Sequence, residues 1–240
     1  MLKDLIEGFS SLVFPPHCTL CRTHTRSISL DPVCPACAQL LLKNAPPLCL
    51  KCSRHLRRPV HSLCPSCRHS EPAFDFAWSA FIYNEPLKEL IHLFKYYQRT
   101  SLRRYFGALM AAFVKDLSLD IRQFDMVTAI PLFPSKLRER GFNQSHLLAQ
   151  EIAGIFSLPY HPRLLIKARS TKNQADLSLK ERWTNIEGAF KIRHPLSLKN
   201  KNILIIDDLL TTGATAAQAA LTLKKGGAAT VGVLTLAITP

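Results

Sequence analysis

Aromatic residues are missing from the early part of this chain: between Cys18 and Cys67 there is no Phe, Tyr or Trp. That absence excludes base stacking as a binding mode there and removes the rings that dominate most small cores. Cysteine has the opposite distribution, with all 8 falling between Cys18 and Cys67 and none from Arg68 to Pro240. Long apolar runs are missing as well; none reaches the roughly 20 residues that a membrane-crossing helix needs. Asp4 and Glu7 interrupt the stretch where a secretion signal would carry its apolar core. A cytoplasmic protein without membrane insertion is therefore expected. Acidic side chains are scarce, 17 against 31 Lys and Arg, giving a formal charge of +14. Such a balance suits a polyanionic partner, although it also serves solubility alone.

A chain of 240 residues can hold a medium domain with a small attachment, and the confinement of cysteine predicts that layout. The boundaries expected are residues 1–72 for an opening helix and cysteine module, and 73–240 for a globular domain. Leu2, Leu5, Ile6, Phe9, Leu12 and Val13 recur with helical spacing, predicting a short amphipathic helix that packs on its own protein.

The cysteines form four C-x-x-C pairs: Cys18/Cys21, Cys34/Cys37, Cys49/Cys52 and Cys64/Cys67. A C-x-x-C turn aims two thiolates at one metal, and two such turns complete the tetrahedral sulfur shell of structural zinc. Two closed zinc sites are expected. Disulfides would need an oxidising compartment, and redox catalysis would use one pair rather than four. Joining neighbouring pairs in sequence keeps each loop short, but the nearly equal spacings also allow a cross-braced arrangement. Four thiolates per zinc would lower the net charge to roughly +10. Closed sites have no open coordination position, so these metals are expected to fold the module and catalyse nothing. Arg54, His55, Arg57 and Arg58 form a basic turn that can contact phosphates or simply face water.

From Phe74 onward, short β-rich runs alternate with helical stretches, predicting a parallel sheet flanked by helices. Strands are expected at Ala77–Tyr83, Met126–Ile130, Leu164–Lys167, Ile203–Ile206 and Thr230–Ala237. Helices are expected at Pro86–Tyr96, Leu102–Leu117, Gln144–Phe156 and Ala214–Lys225.

The most informative segment is ILIIDDLLTTGAT, residues 203–215. An apolar strand ends in Asp207 and Asp208, turns through Leu209 to Gly213, and enters an alanine-rich helix at Ala214. Backbone amides of such a turn converge on a phosphate, Gly213 permits close approach, and Thr211, Thr212 and Thr215 supply hydroxyls. The two acids at the strand end can accept hydrogen bonds from vicinal ribose hydroxyls and assist a magnesium ion. This string resembles the phosphoribosyl pyrophosphate signature of type I phosphoribosyltransferases. The resemblance implies that fold and binding of phosphoribosyl pyrophosphate with Mg2+.

Two further stretches, IPLFPSKLRERGFNQSHLLAQEIA (130–153) and RSTKNQADLSLKERWTNIEGAF (169–190), together with the cysteine pairs, extend the resemblance over nearly the whole chain to the ComF family of competence proteins. By similarity, Lys136, Arg138 and Arg140 lie on a cationic loop that takes the pyrophosphate, the forks of Arg138 and Arg140 suited to paired oxygens. Arg169, Thr171, Lys172, Gln174, Leu177, Arg182 and Asn185 look like the flexible loop that closes over the sugar phosphate and excludes water.

The ComF resemblance implies a role in natural transformation: handling incoming single-stranded DNA at the cytoplasmic face of the inner membrane, with a helicase or channel of the uptake apparatus as a further partner. The segment HLFKYYQRTSLRRYF (92–106) interleaves Phe94, Tyr96, Tyr97, Tyr105 and Phe106 with Lys95, Arg99, Arg103 and Arg104. Rings for bases and cations for phosphates are what single-strand grooves use. The competing reading packs the rings onto the sheet, and exposure of Tyr96 and Tyr97 separates the two. Arg57 and Arg58 are the other candidate DNA contacts. No catalytic residue can be named, because relatives acting on 6-oxopurines carry an aspartate where Thr211 stands here. The alternative is a metabolic phosphoribosyltransferase acting on an unidentified small acceptor.

Overall fold

The structure is a computed structural model that describes residues 17–25, 32–56, 62–171, 179–193 and 197–240. The expected opening helix, Arg57, Arg58, Lys172, Gln174 and Leu177 lie outside the described residues. The ribbon contributes two short helices, α1 (Pro35–Gln39) and α2 (Pro65–Ser70). The α/β domain follows as β1 (Phe76–Ile82), α3 (Glu85–Tyr96), α4 (Leu102–Asp116), β2 (Met126–Ala129), α5 (Pro134–Arg140) and α6 (Gln144–Phe156). It continues through β3 (Leu165–Lys167), α7 (Leu179–Ile186), β4 (Phe190–Ile192), β5 (Asn202–Leu210), α8 (Ala214–Lys225) and β6 (Thr230–Ile238).

Four strands form a parallel sheet in the order β1, β6, β5, β2. In β5, successive residues alternate between two cores, as a period of two dictates. Leu204 and Ile206 face α3, α4 and α6, where Phe94, Phe106, Met110 and Ile152 are buried. Ile203 and Ile205 face α8, whose Ala216, Ala219 and Ala220 are small enough to let the helix lie close. A strand covered on both faces reads as a continuous apolar run, which is why ILII was legible as a buried strand.

Four departures from expectation have local causes. The strand β5 continues through both acids to Leu210, because β6 supplies a partner that far: Asp207 pairs with Thr235 and Leu209 with Ala237. The turn therefore starts at Thr211. The expected strand at Leu164–Lys167 does not join the parallel sheet; β3 pairs antiparallel with β4, which the sequence reading did not anticipate. The cationic stretch Lys136–Arg140 is a helix, opened by Pro134 and closed by Gly141 in the left-handed region at φ 81. Arg182 and Asn185 likewise sit on α7 rather than on a loop.

The ribbon wraps the outer edge of β1. Its Leu42–Lys51 connection runs beside that strand: Asn44 N–H donates to Ala80 O (2.9 Å), Ile82 N–H to Leu42 O (2.8 Å) and Ala77 N–H to Lys51 O (2.7 Å). An exposed parallel-sheet edge is thereby covered. The first cysteine group joins the core beneath α3 and α4, through Cys18, Val33, Cys37 and Leu41. The second, with Cys49, Cys52, Leu56, Cys64 and Cys67, joins the core beneath α8. Each metal site thus belongs to a different face of the sheet.

Asn44 is buried and its amide nitrogen reaches Ser53 O (2.8 Å), Ser53 Oγ (2.8 Å) and Ser79 O (3.0 Å), pinning the ribbon to β1. Asn44→Ala strands these acceptors in a dry interior and is expected to cost about 1–3 kcal/mol, measured by denaturant unfolding.

Candidate functional site: the carboxyl end of β5

Ligands of open α/β sheets bind beyond the carboxyl ends of the strands, and both acids lie at that end of β5. They are not equivalent. Asp208 is 3% exposed and forms a close ion pair with Lys95 of α3. Its Oδ1 also accepts from Gln144 Nε2 at 3.2 Å. Burial alone would raise the Asp208 carboxyl, but the adjacent Lys95 ammonium overrides it and holds the acid below the usual range. Burial alone would likewise depress Lys95; Asp208 keeps it above its ordinary value. Asp207 is partly exposed, and its Oδ1 accepts from Ser145 Oγ at 2.6 Å and from the Asp208 N–H at 2.9 Å. Burial, and the neighbouring Asp208 carboxylate after it, push Asp207 up to about 7.

Both oxygens of Asp208 are thus engaged within the protein, by Lys95 and Gln144. The start of α6 explains how Gln144 and Ser145 reach the acids. Asn143 caps that helix, its Oδ1 accepting from Ser145 N–H at 3.0 Å, while its amide donates to Ile130 O at 3.0 Å and ties the cap to the end of β2. The sequence reading quoted Asn143 and Gln144 within a motif but assigned neither a role, and it missed Ser145. It also missed Lys167, whose ammonium is depressed by burial while feeling the Asp207 carboxylate.

After Leu210 the chain turns through Thr211, Thr212 and Gly213 into α8. Gly213 has φ +81, a conformation that favours glycine, and the helix start lacks a side-chain cap. Thr212 Oγ1 accepts from Ala214 N–H at 3.3 Å. The start of α8 carries the positive pole of the helix dipole. Such a corner accepts an anion.

The cations sort unevenly. Arg140 donates to Gln144 Oε1 at 2.5 Å and lies 5.2 Å from the centre of the Tyr96 ring, so it adjoins the acid pair. Lys136 pairs with Glu139 at 2.9 Å, and Arg138 is exposed. Arg169 donates to the carbonyls of Asn185 (2.8 Å) and Glu187 (2.7 Å), bracing the end of α7 instead of reaching toward a phosphate. Of the expected DNA-facing cations, Lys95 turns inward to Asp208 and Arg103 pairs with Glu151 at 3.1 Å, while Arg99 and Arg104 are exposed. The aromatic residues divide too: Phe94 and Phe106 are buried edge to face at 5.4 Å, whereas Tyr96 and Tyr97 are 58% and 64% exposed. The rings of this segment thus divide between core and surface.

The cysteines assemble as Cys18, Cys21, Cys34 and Cys37, and as Cys49, Cys52, Cys64 and Cys67, with the sulfurs of each group within 4.8 Å of one another. Neighbouring pairs are therefore joined in sequence. Four converging thiols fit a tetrahedral zinc ion, and each group is closed by sulfur. Among the described residues no helix is long and apolar enough to cross a membrane.

Fold and site together define a class: a parallel α/β domain whose central strand ends in two acids and turns through a glycine into the next helix, joined to a module with two four-cysteine sites. Residues 9–70 match the double zinc ribbon domain family. The chain is 30% identical to the DNA utilization protein YhgH of Salmonella typhimurium over 224 residues, covering 92% of this chain and 96% of that one. It is 31% identical to competence protein ComFC of Bacillus subtilis, covering 86% and 84%. The chain belongs to this ComF family. Among solved structures, glutamine phosphoribosylpyrophosphate amidotransferase from B. subtilis aligns with 60% of this chain and 30% of its own at 20% identity and a TM-score of 0.40.

Removing the Lys95 ammonium leaves an uncompensated buried carboxylate. Lys95→Met is expected to lower stability by about 3–5 kcal/mol. Adding Asp208→Asn should restore much of the loss, as a double-mutant cycle in denaturant would measure.

Proposed function

We propose that this protein binds the ribose 5-phosphate of phosphoribosyl pyrophosphate at the corner between β5 and α8, and serves a ComF-type role by binding single-stranded DNA. The observation that carries the first part is the start of α8 directly after the left-handed Gly213, with Thr211, Thr212 and Thr215 around it and Asp207 at the end of the preceding strand. The phosphate takes the helix-start amides and hydroxyls, Asp207 accepts from a ribose hydroxyl, and Mg2+ accompanies the pyrophosphate group. Arg140, which donates to Gln144, and the exposed Arg138 on the same helix are the cations that the diphosphate meets. Arg182 adds charge nearby in sequence to the loop that follows β3.

The DNA part is supported by the printed names of the relatives, DNA utilization protein and competence protein, and by exposed Tyr96 and Tyr97 beside Arg99, Arg104 and Arg140. Glu85, Lys88 and Glu89 line a groove together with Tyr96, and the polyanion is assigned to the side of that ring where Arg140 stacks. A cytoplasmic location at the inner membrane face, with a DNA-uptake helicase or channel as partner, accords with this role.

A second reading, transfer of the phosphoribosyl group to a small acceptor, is favoured by Lys167. Burial depresses its ammonium, the Asp207 carboxylate opposes that shift, and its Nζ donates to Thr171 Oγ1 at 2.7 Å, which places a cation where an acceptor would be oriented.

Calorimetric titration with phosphoribosyl pyrophosphate and magnesium should give binding that Asp207→Asn weakens roughly tenfold and Gly213→Val abolishes; equal affinity in all three proteins would remove the sugar-phosphate reading. Affinity for single-stranded DNA should fall steeply with salt, and Tyr96→Ala with Tyr97→Ala should cost about 1–3 kcal/mol per lost stack. Salt-insensitive binding would rule the DNA surface out.

A further inference from the structure

We infer that the second cysteine site is part of the anion-binding corner, and that Arg54, carried by its ribbon, is the positioning residue that orients the Thr211–Thr212 peptide. This deepens the ribose-phosphate reading and rests on it for the identity of the anion, but not for the geometry. Arg54 follows Cys52 by two residues in the metal-binding turn, where Cys49 N–H donates to Arg54 O (2.8 Å) and Ser53 N–H to Cys49 O (2.8 Å). From that fixed turn its Nη2 donates to Thr211 O at 2.8 Å.

A trans peptide is planar, with its carbonyl and N–H pointing in opposite directions. Holding the Thr211 carbonyl toward the ribbon therefore aims the Thr212 N–H away from the ribbon. Without that bond the peptide is free to rotate, and a carbonyl dipole facing the anion would repel it where an N–H would bind it.

Three further contacts brace the same corner. Phe74 lies against Gly213, so that a Cβ there would meet its ring at 3.7 Å. Lys51 Nζ sits 5.9 Å from the centre of that ring. Cys52 and Cys67 line a narrow cleft with Thr211, Thr212 and Gly213. The first cysteine group shares none of this; it packs beneath α3 and α4 on the opposite face. The two zinc sites consequently have different duties, one holding the edge of the sheet and the other also shaping the ligand corner.

The test uses the full zinc-loaded chain with Arg54→Met, which keeps the stem and removes the donors, and Arg54→Lys, which restores one. With zinc content unchanged at two per chain, amide exchange across Thr211–Thr215 should rise roughly tenfold in Arg54→Met and return most of the way in Arg54→Lys. Affinity for phosphoribosyl pyrophosphate should move in parallel. Should Arg54→Met lose zinc, Arg54→Gln, with a shorter donor, is expected to show the same exchange change at smaller size. Unchanged exchange in a zinc-loaded donorless variant, or no rescue by lysine, overturns the inference. If the unaltered protein binds no phosphoribosyl pyrophosphate while the exchange change is present, the ribose-phosphate reading fails and the positioning role of Arg54 stands.

Discussion

The central strand β5 must be dry on both faces and yet deliver two carboxylates to its end. That constraint organises the domain. Ile203 to Ile206 satisfy the dry requirement by feeding two separate cores, and the acids begin where helix cover gives way to the ligand face. A second carboxylate so close to the first carries a large electrostatic cost unless a cation accompanies it. Lys95 supplies that cation from α3, which makes α3, α6 and β5 one electrostatic unit joined through Asp208, Gln144 and Ser145. The outcome is two unlike acids: Asp208 is held ionised by Lys95, while burial and the Asp208 carboxylate raise Asp207 so that it keeps its proton more tightly.

Ion pairing also explains why a very basic chain offers fewer free cations than its composition suggests. Lys95, Arg103, Lys136 and Arg169 are each engaged by carboxylates or carbonyls. The exposed positive charge near the site is narrower, centred on Arg138, Arg99 and Arg104, with Arg140 stacked on Tyr96.

The features legible in the sequence were those written in local spacing. Four C-x-x-C pairs carry their own geometry, and their sulfurs converge in two sets of four. The run from Ile203 into Ala214 encodes strand, turn and helix start without reference to any other segment. What escaped was tertiary. The Arg54 to Thr211 bond joins residues 157 apart, and nothing around Arg54 distinguishes it from a solvated basic turn. The extension of β5 through its acids depends on the length of β6, and the inward turn of Lys95 depends on where α3 docks. The charge density of Lys136 to Arg140 resembles a loop and conceals a helix of about two turns, opened by Pro134 and closed by Gly141.

The strip from Leu42 to Lys51, lying along β1 and running from just after the first cysteine group into the second at Cys49, has a meaning for the cell's handling of this protein. Both of its anchors are metal knots, so scarcity of zinc would loosen the strip and bare a row of unpaired strand groups beside apolar side chains. The polypeptide would then be prone to stick to copies of itself, making metal supply a condition for staying dispersed as much as for adopting its shape.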